Sequence, residues 1–124
     1  MCPANPIRIF TRPVSRGELA ELLGPAPARM IKFVVDLDRK CIALGGELHS
    51  DAEALLLENG SEQSALWGGN YYPGTSEVEC IQYTSMINIR PSQSNPSIVL
   101  QIPELRARMR EIVHALVGRG EPLS

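Results

Sequence analysis

Glu47 and His49 stand two residues apart in the run Gly45-Gly46-Glu47-Leu48-His49-Ser50-Asp51. In an extended segment such residues share a face, so the carboxylate would orient the imidazole and raise its basicity, an arrangement suited to general acid–base chemistry. Asp51 and Glu53 follow closely enough to invite a metal reading, but the spacing matches no established signature such as His-Glu-x-x-His, and no metal is expected. A plainer reading competes. Ser50 and Glu53 form a Ser-x-x-Glu capping box, Asp51 suits the positive end of a helix, and His49 merely precedes the cap. The second histidine, His114, lies beside Arg110 and Glu111 and reads as a partly exposed helix residue.

A second polar group runs from Ser85 to Asn95. Arg90 has the fork geometry to grip a carboxylate or phosphate, with Asn88 and Gln93 completing the shell. Alternatively the segment is a turn rich in side-chain-to-backbone hydrogen bonds, with Arg90 paired to a protein carboxylate such as Glu47. Trp67, Asn70 and Tyr72 flank Gly68-Gly69, where a backbone free of side chains lets a ligand approach, although Trp67 serves equally as the largest core anchor. The candidates are therefore Glu47 and His49 for catalysis, and Trp67, Asn70, Tyr72, Asn88, Arg90 and Gln93 for ligand binding. No phosphate loop, nucleophile elbow or cysteine–histidine pair is present, and no cofactor is expected.

The elements that must position these residues are well punctuated. Ile7–Phe10 is a short β-favouring run between prolines. Ser15 and Glu18 form a capping box, Val14 and Leu19 a hydrophobic staple, and Gly24 suits a left-handed helix end before Pro25. Residues 30–37 and 40–45 predict an antiparallel hairpin turning at Asp38-Arg39. A helix opened by Ser50 closes at Asn59-Gly60. Residues 64–72 predict a strand broken by the two glycines, and 78–90 the longest strand, followed by a loop over 91–97 and a short strand at 98–100. Pro103 begins the last helix, whose stripe of Leu105, Met109, Ile112, Val113 and Leu116 ends before Gly118. The fold class is α+β: an antiparallel sheet with two short helices and a long C-terminal helix packed on one face. A single domain spans residues 6–118, with 1–5 and 119–124 as flexible termini.

With 124 residues, 44% hydrophobic and 21% charged, the chain is long enough for its own core. A net charge of −2 gives no reason to expect nucleic acid as a partner. Arg106, Arg108 and Arg110 read as a solvated helix face. Three widely spaced cysteines without a CxxC pair, no long apolar run and no leader-like start point to reduced thiols and a cytoplasmic protein without membrane contact.

The blocks GGELHSDAEALLLENGSEQSALWG (45–68), NYYP (70–73) and SMINIRPSQSN (85–95), with KFVVDLDRKCIALGG (32–46), resemble a small bacterial family known only as a domain of unknown function. The resemblance implies no activity, substrate or cofactor. This chain departs from the pattern where a basic residue is expected after Asn95 and an acidic one before Pro103. Pro96 and Ile102 stand there instead, which removes a helix cap and a positive side chain from the loop. The reading reached is a small module binding a small molecule or a protein. The alternatives are a hydrolase-like enzyme using His49, Glu47 and Arg90, and a homodimerising subunit.

Overall fold

The computed structural model describes residues 6–123. Five strands form one antiparallel sheet: β1 (Ile7–Phe10), β2 (Ile31–Asp36), β3 (Cys41–Gly45), β4 (Leu66–Tyr71) and β5 (Ile81–Gln82), in the order β1-β3-β2-β4-β5. Three helices complete the α+β fold: α1 (Arg16–Leu22), α2 (His49–Glu58) and α3 (Pro103–Leu116).

Side-chain alternation divides the sheet between two cores. Phe33, Val35, Ile42, Leu44, Trp67 and Tyr71 point to the larger one, which α1 closes with Leu19 and Leu22, and α3 with Met109, Ile112 and Val113. Val34, Cys41, Ala43 and Leu66 point the other way, under Ala52 and Leu56 of α2. The long helix therefore packs on one face as its stripe predicts, with one short helix on each side.

Several local predictions hold. Ser15 Oγ accepts from Glu18 N–H at 3.1 Å, and Glu18 accepts from Ser15 N–H at 3.0 Å, completing the capping box. Asn59 caps α2, and Gly60 takes φ +97° as the chain leaves it. Ile102 precedes α3 without a side-chain cap, as its apolar character requires. Residues 119–123, expected as a flexible end, are tied to the body. Gly120 N–H donates to Tyr71 Oη at 2.9 Å and Gly74 N–H to Gly120 O at 2.9 Å.

Other expectations are corrected. Gly24 does not adopt the left-handed conformation; a Cβ there would lie 2.8 Å from Met30 O, so close backbone approach selects it. The hairpin is turned less by Asp38-Arg39 than by buried Asp36, whose Oδ1 accepts from both of their N–H groups at 3.0 and 2.9 Å. Its Oδ2 accepts from Ser61 at 2.6 Å. Strand β4 runs unbroken through Gly68-Gly69. A Cβ on Gly68 would meet Ser85 Cβ at 2.7 Å and one on Gly69 would meet Phe33 Cζ at 2.6 Å, so the glycines admit neighbours on opposite faces. Residues 78–90 are strand only at β5. The chain then leaves the sheet through 3-10 turns at Met86–Asn88 and Pro91–Gln93, and residues 98–100 contribute one bridge, Thr84 to Val99. The isoleucines imitate an alternating strand, but Ser85 holds a turn by accepting from Ile87 N–H at 3.3 Å.

Candidate functional site

The proposed residues separate into two regions. The first surrounds the edge of β4 that short β5 leaves unpaired. Asn88 fills that vacancy with its amide: Oδ1 accepts from Gly68 N–H at 2.9 Å, and Nδ2 donates to Gly68 O at 3.0 Å and Ile98 O at 3.2 Å. A side chain thereby replaces a ladder strand. Asn95 extends the same device, donating to Asn88 O at 2.9 Å and accepting from Gln101 N–H at 2.8 Å. Arg90 is buried over the Trp67 ring, 4.2 Å from its centroid. Its guanidinium donates to Ile87 O at 3.1 Å, Gln63 O at 2.6 Å, Gln93 Oε1 at 3.2 Å and Leu66 O. Gln93 in turn donates to Ser64 O at 3.0 Å. The carboxylate facing Arg90 is Glu53, at 3.9 Å, too long for a hydrogen bond, and Glu53 Oε2 has no other partner.

This explains the missing capping box on α2. The helix begins at His49 with Leu48 as its uncapped N-cap, because the imidazole is anchored to β4, and Glu53 turns toward Arg90 rather than back to Ser50. Trp67, Asn88, Arg90 and Gln93 thus form a structural brace whose donors already serve protein acceptors.

The second region lies at the other end of β4, on the side of the sheet that α2 covers. Register places Lys32, Asn70 and Gln82 side by side across β2, β4 and β5. His49 stands above them, its Nε2 2.7 Å from Gly69 O. A carbonyl only accepts, so the neutral ring carries its proton on Nε2 and leaves Nδ1 unprotonated. Burial holds His49 below the ordinary imidazole range and the Lys32 charge adds to this, while the Gly69 carbonyl and the Asn70 amide oppose it. Asn70 Nδ2 donates to Gln82 Oε1 at 2.6 Å, and Tyr72 Oη donates to the same oxygen at 3.3 Å. Asn70 Oδ1 is buried without a hydrogen bond; it lies near enough to favour an imidazolium at His49 but not in bonding geometry. Lys32 makes no ion pair or hydrogen bond with another described residue.

Glu47 is exposed and lines a groove of about 320 Å³ beside Lys32, with Leu22, Pro25 and Met30 on its apolar side. Of the three residues the hydrolase reading requires, Glu47 and His49 lie at this end, near Lys32. Arg90 does not join them: its contacts to β4 are at Leu66, those of His49 at Gly69. Lys32 and Gln82 are the members that sequence reasoning missed. Alternation did put Gln82 opposite the isoleucines, but a lysine within the apolar run 30–37 gave no signal without its cross-strand neighbour. Among the described residues no cluster of His, Cys, Asp and Glu fits a metal ion.

A family model covers residues 8–116. The chain belongs to the DUF5674 family, a protein of unknown function. No curated protein and no solved structure matches it. Membership agrees with the resemblance carried by the 45–68, 70–73 and 85–95 blocks, and the match takes in both polar regions. No described helix is long and apolar enough to cross a membrane.

Proposed function

We propose that this DUF5674 protein is a small-molecule-binding module whose site is the polar row Lys32, His49, Asn70, Gln82 and Tyr72 with the adjoining groove. One observation carries the reading. Asn70 Oδ1 is buried without a hydrogen bond, in register beside Lys32, which makes no ion pair or hydrogen bond with another described residue. Buried acceptors are normally satisfied, and the exceptions gather where a ligand or water completes the set. The hydrolase alternative is weaker, because the anion-binding cation it needs, Arg90, is occupied by backbone carbonyls. Cys41 and Cys80 are both buried and unpaired, which supports a reducing, cytoplasmic setting.

The test is a thermal-shift screen of metabolites on the wild-type chain, followed by Asn70→Leu and Lys32→Gln. A ligand at a hundredfold excess over Kd adds about 2.7 kcal/mol. That gain should vanish in both variants while their unliganded stability stays near wild type. A ligand whose effect persists in both variants, or a screen in which nothing stabilises the protein, overturns the proposal. In the second case, concentration-dependent sedimentation would favour the homodimerising subunit.

A further inference from the structure

We infer that the outer face of residues 84–99 is a contact between two copies of this chain, related by a two-fold axis and centred on Met86, Ile89 and Ile98. None of these residues belongs to the polar row, so the inference is independent of the ligand reading. The segment folds back on itself as an arm. Thr84 bridges Val99, Ser85 N–H donates to Ile98 O at 3.0 Å, and Arg90 and Asn95 exchange backbone hydrogen bonds of 2.6 and 3.0 Å. In the 3-10 turn at Met86–Asn88, side chains three apart eclipse one another. Ser85 and Asn88 thus both turn inward, where they are buried, and Met86 and Ile89 both turn outward. Asn88, Arg90 and Asn95 hold the arm from beneath through the hydrogen bonds described above.

Two features set this face apart. The described residues leave six large apolar side chains exposed, and three of them are here: Met86 at 74%, Ile89 at 43% and Ile98 at 41%. The face also lacks charge. In a chain that is 21% charged, residues 80–103 hold one charged residue, Arg90, and it is buried. Arg106 and Arg110 begin only beyond Val99, where they line a separate depression. Exposed apolar side chains in a fixed, uncharged setting are the composition of an interface centre, where Met is enriched and Lys, Glu and Asp are depleted. Self-complementarity then selects the occupant. In a two-fold contact each patch faces its own copy, so a charged face repels itself. The chain carries a net −2, and a face without charges meets its twin with no such penalty. An anionic membrane or an oppositely charged protein would be drawn by charges that this arm does not display. A stable contact takes about 800 Å² from each copy, about an eighth of the 6711 Å² surface. The apolar side chains supply its centre, and exposed Pro91, Ser92 and Ser94 an uncharged rim. Because the brace already fixes the arm, association has little loop ordering left to offset.

Sedimentation of the full chain over a range of concentrations tests the inference, with circular dichroism to verify the fold of each variant. Wild type should sediment as a dimer that dissociates on dilution. Met86→Lys combined with Ile89→Lys should weaken the dimer at least tenfold with the spectrum retained, since both side chains are exposed. Ile98→Gln, a milder change on the facing run, should weaken it in the same direction. Val78→Lys, at an exposed apolar residue outside the arm, should leave the dimer unchanged. A wild-type monomer at every concentration overturns the inference, as does a dimer indifferent to the arm substitutions or equally weakened by Val78→Lys. Growth past the dimer also overturns it, because a two-fold contact closes on itself. If a wild-type monomer floats with phosphatidylcholine vesicles and the double variant does not, the arm docks on a membrane and the two-copy reading fails.

Discussion

Asn88 and Asn70 lie along the same strand, one with its amide against β4 and the other within it, and they differ in one respect. Asn88 is fully buried, and its amide bonds through both the oxygen and the nitrogen. Asn70 is 6% exposed, and only its nitrogen bonds. Around Asn88 the side-chain donors repeat the pattern: Arg90, Gln93 and Asn95 spend them on backbone carbonyls of β4 and of the turns beside it. Around Asn70 the neighbours are a lysine that forms no ion pair with another described residue and a histidine with one nitrogen unprotonated. A polar cluster whose donors are all spent substitutes for secondary structure. An unsaturated one leaves interaction capacity, and capacity is what a ligand needs.

The contrast can be broken by mutation, most forcibly at the brace. Arg90→Ala removes the donor to several buried carbonyls and leaves Glu53 facing no charge, and should lower stability by about 3–5 kcal/mol in urea unfolding. Arg90→Lys should recover little, because a point charge cannot serve a fork of acceptors. Asn88→Ala strands the N–H and C=O of Gly68 and should cost about 2–4 kcal/mol by the same measurement. A loss below about 1 kcal/mol at either position would show that water replaces the brace and would remove the distinction between the regions.

The second region predicts smaller effects. His49 sits below its ordinary value in the folded state, so the unfolded chain binds the proton more readily. Its contribution is fully present above the unfolded pKa of about 6.5 and is lost as pH falls through the folded value. His114 is also lowered, first by burial and then by Arg119. His49→Asn should therefore flatten part, not all, of the fall in stability measured between neutral pH and mildly acid pH. Asn70→Leu should change stability by less than about 1 kcal/mol in either direction, since replacing a half-satisfied amide by an apolar group is nearly neutral. If Asn70→Leu proved as damaging as Asn88→Ala, the row would be structural too.

Much of the architecture was legible because its signals are local. The Ser15–Glu18 box, the Asn59-Gly60 stop, the β-branched hairpin and the α3 stripe each act within a few residues, and each appears where expected. The errors cluster where a distant group intervenes. His49 starts α2 early because Gly69, twenty residues on, accepts from its ring. Residues 78–90 carry strand-like alternation, yet the chain bends so that Asn88 and Arg90 can repair the edge of β4. The candidate site divides in the same way. Residue type picked out Glu47, His49, Asn70 and Tyr72 at the row and groove, but it also gathered Trp67, Asn88, Arg90 and Gln93, because polarity alone does not reveal whether a group is already satisfied.

The sequence by itself determined the α+β class, most of the helix ends and the sheet's central hairpin, since capping, periodicity and steric preference operate over a turn or a strand. Only the tertiary structure decided which polar donors are spent on backbone carbonyls and which acceptor, Asn70 Oδ1, is buried without a hydrogen bond. That depends on register: Lys32 opposite Asn70, and Asn70 opposite Gln82, are pairings between strands far apart in the chain. A donor becomes available or spent only when folding has assigned it a neighbour.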